Sequence, residues 1–299
     1  MRKIALAIIV MCSIIVSGCS VQKEGKQEIP KTAYEEVGYG VKGEVLEDGT
    51  VLVTYALVGI EKGVIRYLYL DQIENHLQKD RHLFTNQELR SAYGLSYKSE
   101  KGEWSEQVGA LQSYIKTNNM TLDDVNALEV YQKDKQNLKV PKEGTGLAMV
   151  CELDISDFLD VINEACNNLQ ETEALRLGVG EDIRVSKKDN RIDIHLAFMG
   201  TDYRYKICYA NLETYSIVAE QGVEIDLQKS VDAEYRKGID SFEEYILGLN
   251  MLEAIGVETY DPGNGIETAL PKKGTDLAEV CNVDLKRIIK AVEEAGSRF

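Results

Sequence analysis

The sequence predicts an α+β fold made of two tandem repeats, each an antiparallel β hairpin or sheet followed by helices. Three observations lead to this prediction: a long stretch that recurs later in the chain, pairs of β-rich runs joined by turn residues, and amphipathic helical runs after those pairs. Strands that precede helices, rather than alternate with them, favour antiparallel sheets.

The repeat is clearest between residues 141–165 and 271–295. Eleven of these 25 positions are identical without a gap. The first stretch begins PKEGTGLAMVC and the second PKKGTDLAEVC, and both go on to a shared aspartate, Asp154 or Asp284, and a shared Glu-Ala pair. A match of this length is far above chance, so we expect the two stretches to occupy equivalent places in two similar units.

Each repeat is predicted to open with a hairpin. In the first, the β-rich runs 51–58 and 64–70 are joined by Glu61-Lys62-Gly63. In the second, the runs 192–198 and 203–209 are joined around Gly200 to Asp202. Branched and aromatic residues flanking short glycine-containing turns are typical of hairpins.

Helices are predicted to follow. Apolar spacing predicts a helix around Ser105 to Lys116 and a short second helix capped by Thr121. An amphipathic helix closes each repeat, and we expect Asp154 and Asp284 to be its N-caps, a role that needs no catalytic explanation.

The N-terminus has the pattern of an export signal. Positive residues at the start are followed by an apolar run too short to span a bilayer, ending in Val16-Ser17-Gly18-Cys19. This ending resembles the lipobox of bacterial lipoproteins, which implies lipid attachment at Cys19 and a place on the cell membrane, facing the extracytoplasmic side. The alternative is an ordinary secretory signal in which Cys19 merely follows two small residues.

These features divide the chain into four parts. Residues 1–18 are predicted to be the signal peptide, and residues 19–36, which are polar and rich in Lys and Glu, a flexible tether. The first repeat is expected over residues 37–167 and the second over residues 175–299.

Charge and cysteine content narrow the functional classes. The net charge of −16 makes nucleic acid and anionic lipid surfaces poor partners, and favours a solvated acidic surface. Four cysteines remain after Cys12 and Cys19 are set aside, and none has metal-ligand or CxxC spacing. They are interpreted either as buried free thiols or as disulfide partners in one of three connectivities: Cys151, Cys166, Cys208 and Cys281.

No arrangement of residues predicts a catalytic or metal site. His76 and His82 lack helical ligand spacing, and His195 lies in an alternating strand without a serine or cysteine partner nearby. Asp189-Asn190 is interpreted as a hairpin turn rather than a calcium loop. Several acidic residues and pairs outside the matching stretches lack a counterpart in the other repeat: Asp123-Asp124, Asp226, Asp232 and Glu243-Glu244.

The order of features resembles a group of Firmicutes-type lipoproteins with tandem FMN-binding-like repeats. The resemblance covers most of residues 38–299 and depends chiefly on packing and turn residues. Its segments in the first repeat are Tyr93-Gly94-Leu95, Gly102 to Gln107, Leu111 to Ile115 and Leu147 to Leu153. In the second they are Phe242 to Gly248 and Asp276 to Val283, without the Trp and Gln of the first.

The chain departs from this family at the flavin-attachment motif. Flavin-carrying relatives attach FMN to a threonine in a Ser/Thr-Gly-Ala-Thr motif, which this chain lacks; its nearest fragments are Gly144-Thr145-Gly146 and Gly274-Thr275-Asp276. Covalent flavin is therefore not expected. The aromatic residues are interpreted as core or sheet residues, or alternatively as a wall that stacks on a planar ligand: Trp104, Tyr55, Tyr67, Tyr69, Tyr203, Tyr205 and Tyr209.

Two functional hypotheses follow. The first is a non-catalytic binding or interaction module, anchored through Cys19 and displayed outside the cell membrane, whose small-molecule or protein ligand the sequence does not identify. The alternative is an extracytoplasmic electron-transfer lipoprotein that holds FMN without a covalent bond.

Overall fold

The computed structural model describes residues 34–76, 83–133, 138–186, 188–218, 227, 231–263 and 268–299. The predicted signal, the lipobox and the tether up to residue 33 lie outside these residues, as do His82 and Asp226.

The first half of the chain contains three long strands, then short and long helices, a two-stranded ribbon and a final helix. Its elements are β1 (Glu36–Val45), β2 (Thr50–Glu61), β3 (Val64–His76), α1 (Asn86–Leu89), α2 (Trp104–Thr117), α3 (Leu122–Asn126), β4 (Val130–Lys133), β5 (Leu138–Pro141), α4 (Ser156–Asn167) and β6 (Gln170–Glu171). Short 3₁₀ turns lie at Arg90–Ala92, Leu95–Tyr97 and Leu147–Met149.

The second half passes through a similar series. Its elements are β7 (Arg176–Ser186), β8 (Arg191–Thr201), β9 (Ile207–Val218), α5 (Ala233–Ile246), α6 (Met251–Ile255), β10 (Thr259–Tyr260), β11 (Leu270–Pro271), α7 (Asp276–Val280) and α8 (Lys286–Ser297). None of the described helices is long and apolar enough to span a bilayer.

The long strands form two antiparallel sheets. The first has the order β3-β2-β1-β6 and the second the order β7-β8-β9. In the first, Tyr55 of β2 pairs with Val41 of β1 and with Asp71 of β3. The ribbons β4–β5 and β10–β11 are separate antiparallel pairs. Helices and antiparallel sheets occur together, so the predicted α+β class is confirmed.

The two sheets pack face to face around a shared apolar layer. Alternate residues of both sheets point into it, and the largest are fully buried. Each fully buried aliphatic side chain stabilises the fold by roughly 1.5–3 kcal/mol. The layer therefore joins the two halves of the chain through residues that include Val37, Val53, Tyr55, Leu57, Val179, Ile194, Leu196 and Phe198.

Helices cover the outer face of each sheet. In the first half, side chains of α2 and α4 pack on Ala56, Val58 and Leu70; in the second, those of α5 and α8 pack on Ala197 and Leu212. The order across the molecule is thus helix, sheet, sheet, helix. Because both faces of the central strands are covered, β2 and β8 are buried almost continuously instead of at every second residue.

Glycines in β1 and β7 let a helix backbone lie directly against each sheet. A Cβ atom built on Gly40 would stand 2.3 Å from the carbonyl oxygen of Val161 in α4. One built on Gly180 would stand 2.0 Å from the carbonyl oxygen of Ala291 in α8. The residues at these positions must lack a side chain for the helix to approach so closely.

Several sequence predictions are confirmed locally. Residues Lys62 and Gly63, both at positive φ, form the turn between β2 and β3. The helix predicted at Ser105 to Lys116 is α2, and Thr121 caps α3 by accepting the Asp124 amide. Asp189 and Asn190 lie in the turn before β8.

The strand predicted for residues 203–209 is wrong in its first half. The strand β9 begins at Ile207. The Asp202 carboxylate accepts the amides of Arg204 and Lys206, at 2.7 and 2.9 Å, and Tyr205 adopts φ +62°. This side chain folds the run into a turn, so Tyr203 and Tyr205 are not strand residues.

The predicted N-caps are also displaced by one residue. Ile155 and Leu285 are the N-caps of α4 and α8, and neither makes a side-chain capping bond. Asp154 instead joins two elements, accepting the amides of Ser156 in α4 and Lys139 in β5 at 3.0 and 2.9 Å. Asp284 makes the same pair of bonds, to the amides of Lys286 and Ala269.

The four remaining cysteines are free thiols. Cys151 and Cys281 are buried, each in the apolar cluster between the helices and the outer face of its sheet. Burial raises the pKa of the Cys151 thiol to about 11 and keeps it protonated. The thiols are therefore free, as one of the two interpretations has it, but burial holds only for Cys151 and Cys281, since Cys166 and Cys208 are partly exposed.

The close helix–strand contact yields a stability prediction. Gly180→Ala should lower the free energy of unfolding by about 2–3 kcal/mol, because α8 must move away from β7 to admit the methyl group. Gly109→Ala in α2 is the matched control: nothing lies within 4 Å of its Cβ position, so a helical alanine should stabilise by up to about 1 kcal/mol. Urea denaturation measures both, and a neutral Gly180→Ala would contradict the prediction.

Candidate functional site

The histidines that the sequence offers as candidate ligands, His76 and His195, do not form a site in the structure. His76 lies at the end of β3, whereas His195 is buried in β8 and its Nδ1 lies 3.2 Å from the Thr214 hydroxyl. Burial lowers the pKa of His195 to about 4, so the ring is neutral at pH 7. Within the described residues there is no group of three or more His, Cys, Asp or Glu side chains arranged to hold a metal ion.

The aromatic residues do not form the wall that a stacked flavin requires. Trp104 is buried on the helix-covered face of the first sheet, against Tyr93 and Phe158. Tyr55, Tyr67, Tyr69 and Tyr209 point into the layer between the sheets, on the opposite face. The sheet itself separates the two sets. This arrangement does not fit a flavin held between Trp104 and the strand tyrosines.

Polar side chains instead collect where helices meet the outer strands of the two sheets. The Glu164 carboxylate of α4 accepts the Val41 amide of β1 at 3.0 Å. The Glu294 carboxylate of α8 accepts the Glu181 amide of β7. Each carboxylate thus satisfies one strand amide that would otherwise lack a partner.

One cleft lies beside Glu294, and we call it the Arg298 cleft. It has a volume of about 570 Å³ and is lined by Tyr69, Gln87, Glu88, Arg90, Ser91, Glu103, Ser105, Glu106 and Arg298. The Arg298 guanidinium pairs with Glu181 and Glu294 at 2.7 Å each, and donates to the Val179 carbonyl at 2.9 Å. It also lies over the Tyr69 ring, 5.7 Å from its centroid.

A buried hydrogen-bonded network extends from Arg298 into the layer between the sheets. The Tyr55 hydroxyl donates to Glu181, and the Tyr69 hydroxyl donates to Asp71 at 3.0 Å. Burial raises the pKa of both carboxyls, while Arg298 acts in the opposite direction on Glu181. A single guanidinium therefore compensates a carboxylate buried between the two halves of the chain.

A second cleft lies beside Glu164, and we call it the Glu164 cleft. It has a volume of about 420 Å³ and is lined by Tyr39, Val41, Glu164, Glu213, Thr214, Tyr215, Leu227, Val231 and Arg236. Its lining comes from both halves of the chain. Arg236 forms a two-point ion pair with Glu213, at 2.5 and 3.1 Å, and the Tyr39 hydroxyl donates to the same carboxylate at 2.6 Å.

The two carboxylates of the Glu164 cleft differ in their surroundings. Hydrogen bonds from Tyr39 and Arg236 engage both oxygens of Glu213. Glu164 is partly exposed. Partial burial and the nearby Glu213 charge raise its pKa, whereas the hydrogen bond from the Val41 amide lowers it. The cleft thus offers a rigid carboxylate, a freer one and an aromatic wall. Mixed apolar and polar cavities of this size between structural units commonly hold ligands.

The chain matches no known family model, no curated protein and no solved structure.

Of the residues that line these clefts, the sequence points to Tyr69, as a candidate stacking residue, but not to the charged ones. Glu164 and Glu294 stand out only as part of the repeated Glu-Ala pair, and nothing in the sequence marks Arg236 or Arg298. The contacts that place them in the clefts are long-range: Glu164 reaches Val41, Arg236 reaches Glu213 and Arg298 reaches Glu181. The available signal is a glutamate that recurs at the same position of the two amphipathic closing helices.

The outermost strands β3 and β9 have an analogous contact that yields a pH prediction. The Leu70 amide donates to the Gln112 side chain at 3.2 Å, and the Leu212 amide donates to Glu243 at 2.7 Å. Burial raises the pKa of Glu243 to about 7. The folded state thus favours protonated Glu243, and this contribution to stability is lost as the pH rises through 7.

Glu243→Gln should therefore raise the free energy of unfolding by about 1–2 kcal/mol at pH 9 and leave it nearly unchanged at pH 4. The neutral amide still accepts the Leu212 amide but loses no stability on ionisation. Gln112→Glu is the reciprocal control and should destabilise at pH 9 only. Urea denaturation at the two pH values measures both; an equal effect of Glu243→Gln at each would contradict the assignment.

Proposed function

We propose that the protein is an extracytoplasmic, membrane-anchored lipoprotein that acts as a non-catalytic binding module built from two tandem repeats. The observation that carries the binding role is the Glu164 cleft, a cavity of about 420 Å³ whose aromatic and charged lining comes from both repeats. Anchoring is proposed from the lipobox that ends at Cys19.

The tandem repeat is supported by equivalent contacts as well as by sequence. Both halves contain three long strands, a long helix, a short helix, a two-stranded ribbon and a closing helix in that order; in the described chain α1 and β6 belong to the first half alone, and α7 to the second. The hydrogen bonds between strand amides and helix side chains agree in position. The bond from Val41 to Glu164 corresponds to that from Glu181 to Glu294, and the bond from Leu70 to Gln112 corresponds to that from Leu212 to Glu243. The strand glycines, Gly40 and Gly180, and the buried cysteines, Cys151 and Cys281, agree likewise. Unrelated units have no reason to share such side-chain-to-backbone bonds.

The ladders also support one register for the proposed repeats. Gly59 pairs with Tyr67 and Gly200 pairs with Tyr209. Tyr67 is therefore the counterpart of Tyr209, and Asp71 is the counterpart of Glu213. This register matters because it brings the two clefts into correspondence.

The anchor is tested by metabolic labelling with a fatty acid. The full chain should incorporate the label in a bacterial host that modifies lipoproteins, and Cys19→Ala should lose it. Two acyl chains bury methylenes worth about 0.8 kcal/mol each, enough for stable anchoring. Cys208→Ala, which removes a thiol outside the lipobox, should keep the label. Absence of the label from the full chain would favour the ordinary secretory signal, and equal labelling of Cys19→Ala would contradict attachment at Cys19.

The flavin alternative is tested by Trp104 fluorescence. We expect titration of the full chain in detergent with FMN to leave the emission unchanged beyond the inner-filter loss seen with a free tryptophan derivative. Trp104 is the single tryptophan, so quenching is unambiguous. Saturable quenching at micromolar FMN would replace the binding-module proposal with the electron-transfer one.

A further inference from the structure

The Arg298 cleft holds a guanidinium group, that of Arg298, at its inner end. Its guanidinium contacts the Glu294 and Glu181 carboxylates, the Val179 carbonyl and the face and hydroxyl of Tyr69. These partners surround a planar cation with hydrogen-bond acceptors and an aromatic ring, which suits a guanidinium.

The Glu164 cleft has the same carboxylate without the cation. Glu164 accepts a strand amide as Glu294 does, but Asn168 stands at the position of Arg298. In the described part of the chain, no lysine, arginine or histidine forms an ion pair with Glu164, whereas Glu294 pairs with Arg298. Among the described residues, the proposed repeat thus has one cleft in which Arg298 is seated beside Glu294 and one in which no side-chain cation pairs with Glu164.

The charge and shape of the Glu164 cleft also suit a cation. Glu164 and Glu213 face it with Arg236, whose guanidinium is already bound to Glu213 and to Asp240 at 2.9 Å. Among the described lining residues the net charge is therefore negative, with Glu164 and Glu213 against Arg236. The partly exposed Tyr39 and the almost fully buried Tyr215 also line the cavity. Val41 stands where the second repeat has Glu181, and Asn211 stands where the first repeat has Tyr69.

We propose that the Glu164 cleft binds the guanidinium group of a ligand, with Glu164 in the role that Glu294 has for Arg298. The inference rests on the proposed tandem repeat and names the ligand chemistry of the proposed binding module. Glu164 is the principal partner, through a charge-assisted hydrogen bond, and Tyr39 provides the ring contact. The guanidinium belongs either to a small free cation or to an arginine side chain of a peptide.

Isothermal calorimetry with agmatine tests the proposal on the full chain in detergent. Glu164→Gln keeps an acceptor for the Val41 amide but removes the charge, so agmatine binding should weaken roughly tenfold or more. Glu294→Gln, the same change in the other cleft, should leave agmatine binding unchanged. A blocked Gly-Arg-Gly tripeptide, titrated alongside, tells a peptide side chain from a small cation by which binds more tightly.

A second variant fills the cleft from within. Asn168→Arg should seat a guanidinium beside Glu164 and lower agmatine affinity at least tenfold. Asn118→Arg, at the end of α2, adds the same charge elsewhere and should not lower it. Failure of agmatine and the tripeptide to bind, or equal agmatine binding by the full chain and Asn168→Arg, would overturn the proposal. Fatty-acid labelling of Cys19 is independent of both results, so the anchor and the ligand fail separately.

Discussion

The apolar layer between the two sheets is the interaction on which the rest of the structure depends. It is formed by alternate residues of all the long strands, so neither sheet has a solvent-facing side once the helices are in place. Three apolar layers in a chain of this size require close approach between the helices and the sheets. The glycines of β1 and β7 meet that requirement.

Burying both faces leaves the strand edges as the remaining exposed backbone. Four helix side chains each accept one hydrogen bond from an amide on these edges: Glu164, Glu294, Gln112 and Glu243. Two of them, Glu164 and Glu294, also bring charge to the junctions between the halves. Glu164 lines one cleft, and Glu294 pairs with the arginine that lines the other.

The sequence predicted the parts of the fold whose signals are local. Alternation and turn glycines identified β2, β3 and β8, and helical spacing identified α2, α3 and the closing helices. It did not predict β1 and β7, because the glycines that admit the helices, such as Gly40 and Gly180, dilute the apolar pattern of those strands. It also placed Tyr203 and Tyr205 in a strand, since β propensity does not register the hydrogen bonds that Asp202 makes to the backbone.

The candidate site was beyond local signals. Each cleft is assembled from segments of both halves, and its charged residues meet only after the sheets have packed. A repeated glutamate within an amphipathic helix was visible in the sequence, but an exposed helix position explains a glutamate equally well. Only the hydrogen bond to a strand amide distinguishes Glu164 from a solvated surface residue.

The shared layer has a consequence for biosynthesis. Ribosomes deliver the first sheet before the second exists, so the inner faces of β1, β2 and β3 have no partner until Val179, Ile194 and Phe198 have emerged. During that interval a nascent chain exposes a broad apolar surface to neighbouring chains. Holdase chaperones, or delayed folding until the whole polypeptide is released, would spare such a chain from aggregating with other copies of itself.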